Sequence, residues 1–109
     1  MMDIEQLRQY ALSKEESAEG FPFGETVLVF KTQGKIFMML TLDEIPHRIN
    51  LKCQPEKALE LREMYPAVLP GYHMNKKHWN TVLIDGSIKD NLLLELIDVS
   101  HDLVRKKRS

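Results

Sequence analysis

At 109 residues, 43% of them hydrophobic, the chain has apolar material for one core and too little for two, so a single domain spanning 1–109 is expected. The lone Cys53 excludes an internal disulfide framework, and no apolar run approaches membrane-spanning length; a cytoplasmic protein without membrane contact is expected. A net charge of -1 excludes nucleic-acid binding through overall basicity, but not a local patch acting within a Debye length, roughly 10 Å at 0.1 M salt.

Asp3-Ile4-Glu5-Gln6 reads as a capping-box start, an acidic N-cap with Gln three residues on. Ile4, Leu7 and Ala11 then fall at helical spacing, giving a first helix that fades near Ser13-Lys14. Residues 15–24, with Gly20, Pro22 and Gly24, form a loop or short edge segment, in which Phe21 and Phe23 are expected to anchor the chain to the core. Val27-Leu28-Val29-Phe30 and Ile36-Phe37-Met38-Met39-Leu40 flank Gln33-Gly34, a sequence suited to a tight hairpin turn. In Met38-Met39 one methionine fills the core and the other lies on the opposite face, where it suits a partner surface. Arg48-Ile49-Asn50-Leu51-Lys52-Cys53 alternates strictly, with Ile49, Leu51 and Cys53 on a buried face and Arg48, Asn50 and Lys52 on a wet one.

Pro55 suits the first turn of a second helix, Glu56 complements its dipole and Pro66 ends it. Ala58, Leu61 and Tyr65, joined by Leu59 and Met64, supply its apolar face. After Pro70-Gly71 comes a strand from Trp79 to Ile84 and a turn at Asp85-Gly86. Ser87 and Asp90 are spaced as a capping box for a last helix with Leu92, Leu93, Leu96, Ile97, Val99, Leu103 and Val104 as its stripe. The fold class is α+β: helices packed on an antiparallel sheet in two layers.

Gly71-Tyr72-His73-Met74-Asn75-Lys76-Lys77-His78-Trp79-Asn80 is the most unusual stretch, because Lys, His and Asn are costly to bury and Trp and Tyr costly to expose. Lys76 and Lys77 could neutralise phosphates, Asn75 and His78 could hydrogen-bond, and Tyr72 could stack; Arg48 and Lys52 on the polar strand face would extend the patch. The bland alternative is a solvated hairpin with Trp79 as a packed anchor. His73 and His78, with His47 or His101, fall short of a metal site, since no Cys pair or His-Glu helical motif accompanies them. Cys53, on the apolar side of its strand, reads as a small hydrophobe, and Glu15-Glu16 carry no acid/base signature. The tail Arg105-Lys106-Lys107-Arg108 complements a helix C-terminus. No catalytic residue, metal or cofactor is expected.

The chain resembles the MmcQ/YjbR family of small bacterial proteins. The resemblance rests on Phe21-Pro22-Phe23, Lys35-Ile36-Phe37, Asn50-Leu51-Lys52-Cys53, Leu61-Arg62-Glu63 and above all Pro70 to Asn80. It implies the order α-β(3)-α-β(2)-α and, through likeness to a double-wing domain, weak DNA binding by a monomer. On that reading Lys76, Lys77, His78, Asn75, Tyr72, Arg48 and Lys52 contact DNA, and Gly71, His73 and Trp79 support the site. The alternative is a protein–protein or small-ligand module that uses the polar 71–80 loop.

Overall fold

A computed structural model describes residues 2–72 and 74–105. Helix α1 (Ile4–Ser13) starts with the expected capping box: Asp3 accepts from the Gln6 amide, and the Gln6 side chain accepts from the Asp3 amide. The strands β1 (Ser17–Gly20), β2 (Val27–Thr32), β3 (Lys35–Thr41) and β4 (Arg48–Lys52) follow, then α2 (Pro55–Met64), β5 (Val68–Pro70), β6 (Trp79–Leu83) and α3 (Asp90–Val104). All six strands join one antiparallel sheet in the order β1-β2-β3-β4-β6-β5, so the fold is the expected α+β arrangement. Four strands rather than three precede α2, because the 15–24 segment contributes β1 as a short edge strand beside β2. No helix among the described residues is long and apolar enough to cross a membrane.

The β2–β3 turn has two residues, Gln33 and Gly34, both with positive φ, as a two-residue hairpin with the sheet's twist requires. A second irregularity in this hairpin shapes the whole molecule. Phe30 pairs with Met38 but Lys31 pairs with Ile36, so Phe37 is an extra residue, a β-bulge. The bulge breaks the alternation of side chains: Phe37 and Met38 are both fully buried, and Phe37 meets His101 of α3 edge-on at 5.0 Å. Ile36 is thereby turned to the face shared by Met39. The core on the helix side combines Leu7, Phe30, Phe37, Met38, Leu40, Ile49, Leu51, Val82, Leu93 and Ile97.

Several local expectations change. The second face of the sheet is not uniformly wet: Val29, Met39, Asn50 and Thr81 lie on it and are buried, because the 21–23 segment, Tyr72 and Met74 lie over its middle. Phe21 and Phe23 do not reach the core; both are more than half exposed, since their segment crosses the side of the sheet that lacks helices. Leu59 and Met64 are also exposed, and the buried stripe of α2 narrows to Ala58 and Leu61. Ser87 does not cap α3. Its amide and hydroxyl both donate to Asp85 Oδ1, closing the turn, and the helix starts after Lys89 without a side-chain cap. The α3 stripe includes two polar residues: Ser100 and His101 are buried, while Val99 is exposed.

Candidate functional site

Between the two segments that cross the open face lies a cavity of about 370 Å³. Met39, Ile36 and Val27 make its apolar floor, and the exposed aromatic rings of Phe23 (65%) and Tyr72 (56%) stand at opposite walls. Met74 adds a second thioether, a side chain that adapts to irregular occupants. Polar groups are few: Thr41, Glu44, Arg48 and Asn50. Asn50 is committed at its carbonyl, which accepts from Thr81 Oγ1 at 2.5 Å, and the Thr81 hydroxyl oxygen in turn accepts from the Tyr72 amide at 2.9 Å. This relay joins β4 and β6 to the cavity wall at Tyr72.

The rest of the loop is held from below. Arg62 of α2 donates from Nε to Asn80 Oδ1 at 2.7 Å and from Nη2 to the carbonyls of Trp79 (3.3 Å) and Lys76. Asn80, itself buried, donates to the Ala58 carbonyl at 3.3 Å. Asn75 starts a single turn: its carbonyl accepts from the amides of His78 and Trp79, and its side chain from the Lys77 amide at 2.9 Å. Gly71 sits where a Cβ would come within 2.8 Å of Trp79 Cβ and 2.9 Å of the Trp79 carbonyl, so only glycine lets the two loop ends approach.

The candidate DNA contacts fall into two groups. Lys52 pairs across the sheet with Trp79, and the Cys53 amide donates to the His78 carbonyl at 2.8 Å, which brings Lys52, Lys76, Lys77 and His78 to one end of the sheet. Lys76 Nζ already donates to the Gly71 carbonyl at 3.1 Å. Arg48, four residues from Lys52 and so about 13 Å along the strand, lines the cavity instead, with Nη2 at 2.7 Å from Glu44 Oε2. Asn75 and Lys77 are exposed. Trp79 is half-buried on the open face, outside the helix-side core. His73 lies outside the described residues, as do Lys106, Lys107 and Arg108. Arg105 is drawn to Glu15 at 2.7 Å and Glu16 at 3.8 Å.

Cys53 is buried, and burial pushes its thiol above the ordinary value. His101 lies with Nε2 at 2.7 Å from the Glu15 carbonyl, and His47 with Nδ1 at 3.3 Å from that of Thr41. Among the described residues no group of three or more His, Cys, Asp or Glu side chains could hold a metal ion. Sequence reasoning missed the cavity and the Arg62–Asn80 clamp. The Met38-Met39 pair was the one signal of an apolar patch on the second face, and the bulge that adds Ile36 to it has no sequence mark.

The family model described as YjbR matches residues 12–103. The chain belongs to the YjbR family. It is 48% identical over 85 residues to the uncharacterized protein YbdF of Escherichia coli O157:H7, covering 77% of this chain and 69% of the relative. It is 33% identical over 100 residues to the uncharacterized protein YjbR of Escherichia coli K12, covering 92% of this chain and 85% of that protein. Among solved structures, the DUF419 domain protein DR2400 of Deinococcus radiodurans superposes with a TM-score of 0.92 at 39% identity, covering 98% of this chain and 81% of that one. A Pseudomonas syringae protein superposes with a TM-score of 0.83 at 31% identity, covering 95% and 100%. The family match over 12–103 includes both stretches of chain that border the cavity.

Proposed function

We propose that this YjbR-family chain is a non-enzymatic recognition module, and that its site is the open-face cavity, which takes a small ligand with a largely apolar body. The observation that carries this reading is the concave apolar site itself. A volume of about 370 Å³, lined by apolar side chains with a few convergent polar groups, has the size and composition of a ligand site. Among the described residues that line the cavity there is no nucleophile paired with a base, and their one carboxylate, Glu44, is engaged by Arg48. In this reading the protein acts as a cytoplasmic monomer, in keeping with its single, buried cysteine.

The test is a fragment titration followed by amide and methyl NMR on wild type and Ile36→Trp, a substitution that fills the cavity from its floor. Saturable shifts confined to Val27, Ile36, Met39, Tyr72 and Met74, lost in the filled variant, are expected. A diverse fragment set that moves none of them would refute the reading.

DNA binding is the second reading, and the gathering of Lys52, Lys76, Lys77 and His78 at one end of the sheet favours it. Several other cations are already matched: Arg8 with Glu19, Lys14 with Asp98, Arg48 with Glu44 and Arg105 with Glu15. Any phosphate attraction therefore rests on a small cluster and weakens steeply with salt. Anisotropy of a labelled duplex across a salt series, for wild type and the Lys76→Ala/Lys77→Ala variant, decides it. Equal binding by both proteins, or none at low salt, removes this reading.

A further inference from the structure

Arg48 is the only cation lining the cavity among the described residues, and its hydrogen bonding there is incomplete. Glu44 engages it at one terminal nitrogen, Nη2, at 2.7 Å. The neighbouring Nε–H is buried and has no hydrogen-bond partner. A buried donor without an acceptor is costly, and hydrogen bonds to an ionised group are among the strongest available to satisfy it. Guanidinium recognises a carboxylate best with two parallel N–H···O bonds, and Glu44 does not make the side-on pair through Nε. Glu44 is nearly half exposed and sits on the short connection between β3 and β4, so it can swing to water without disturbing the sheet.

Resting on the cavity reading above, we propose that the ligand is a small carboxylic acid with an apolar aliphatic or aromatic body. Its carboxylate replaces Glu44 on Arg48 and takes both Nε–H and a terminal N–H. Its body lies over Met39 and Ile36 between Phe23 and Tyr72. The terminal carboxylate of a peptide would offer the same charge, but the flanking peptide group would enter a space whose lining is mostly apolar. Glu44 then acts as an internal stand-in for the ligand's charge, keeping Arg48 paired while the site is open.

The experiment compares phenylacetate with phenylacetamide and hexanoate with hexanamide, pairs that differ in charge but little in shape. Binding is followed on the cavity methyls and on the Arg48 Nε–H resonance. Each acid is expected to bind about tenfold or more tighter than its amide and to move the Arg48 Nε–H signal. Arg48→Lys keeps the charge but loses the planar fork, and most of the acid preference should go with it. Glu44→Gln removes the competing carboxylate without touching the strand, and acid binding should tighten severalfold. Amides binding as well as acids would overturn the carboxylate inference and leave the cavity reading standing. Acids that move only resonances of the Lys76-Lys77 turn, or bind more weakly to Glu44→Gln, would also overturn it. If neither acids nor amides nor other fragments move the cavity methyls, both readings fail together.

Discussion

Replacing Ser100 by alanine isolates the contact that holds the bulge, and through it the floor of the cavity. Ser100 is fully buried in α3. Its hydroxyl donates to the Phe37 carbonyl at 2.5 Å and accepts from the Lys52 amide at 2.8 Å. Both partners are backbone groups just beyond Met38–Leu51, the last pair of the β3–β4 ladder, so a side chain from the opposite layer bridges Phe37 and Lys52 there. Alanine fits the same space but leaves a carbonyl and an N–H unpaired in the interior, each costing about 1–3 kcal/mol. The expected loss is about 2–6 kcal/mol, a large share of the roughly 5–15 kcal/mol that a domain has in all. Equilibrium urea unfolding measures it, and hydrogen exchange localises it: the Lys52 amide should lose protection before the β4–β6 amides do. Because Ile36 reaches the open face only through the bulge, cavity resonances should also shift. A loss under about 1 kcal/mol with unchanged Lys52 exchange would refute the reasoning, since the bulge would then be stable without its hydroxyl.

Arg62→Met keeps the apolar stem but removes the donors that hold Asn80, Trp79 and Lys76. The expected cost is about 2–3 kcal/mol by urea unfolding, and Arg62→Lys should recover only part of it because an ammonium cannot fork to all three. Asp98 predicts a pH effect. Burial raises its carboxyl, but hydrogen bonds from Lys14 Nζ at 2.7 Å and the Tyr10 hydroxyl at 2.6 Å outweigh this and hold it below the ordinary value. A carboxyl depressed in the folded state stabilises it above the unfolded value of about 3.9, and that contribution disappears as pH falls through the folded value. Asp98→Asn should therefore lose stability at neutral pH and show a flatter decline below about pH 4; parallel urea curves for the two proteins at every pH would contradict this.

Much of the fold was legible because periodicity and capping are local. The Asp3–Gln6 box, the Gln33-Gly34 turn, the strand at Arg48–Lys52 and the Pro55 start of α2 each depend on residues close in sequence, and each is where those residues place it. The site was less legible because it depends on long-range geometry. Strict alternation would put Ile36 beside Met38, whereas the bulge at Phe37 puts it beside Met39, and the bulge is stabilised by Ser100, 63 residues away. The face opposite the helices looked wet because Arg48, Asn50 and Lys52 are polar. Asn50 is nonetheless buried, since Thr81 supplies its partner from the neighbouring strand and Tyr72 lies over it.

Charge shows the same limit from another direction. Counting cations along the chain marks Lys76-Lys77, Arg48 and Lys52 as one patch, but a cation's reach depends on what already faces it. Arg62, close in sequence to nothing in the 71–80 run, spends its charge inward on that loop's carbonyls. Arg48 is paired with Glu44 in the lining of an apolar cavity, and Lys76 faces the Gly71 carbonyl. The run from Gly71 to Asn80 is thus divided by its own geometry. Its first half, tied to Thr81 and Asn50, walls a cavity; its second half, a single turn from Asn75, carries lysines toward solvent. A ligand in the cavity presses directly on Tyr72 and Met74, which are joined to that turn through only a few residues. If both halves bind, occupancy of the cavity should alter the turn, and this coupling must be equal in both directions.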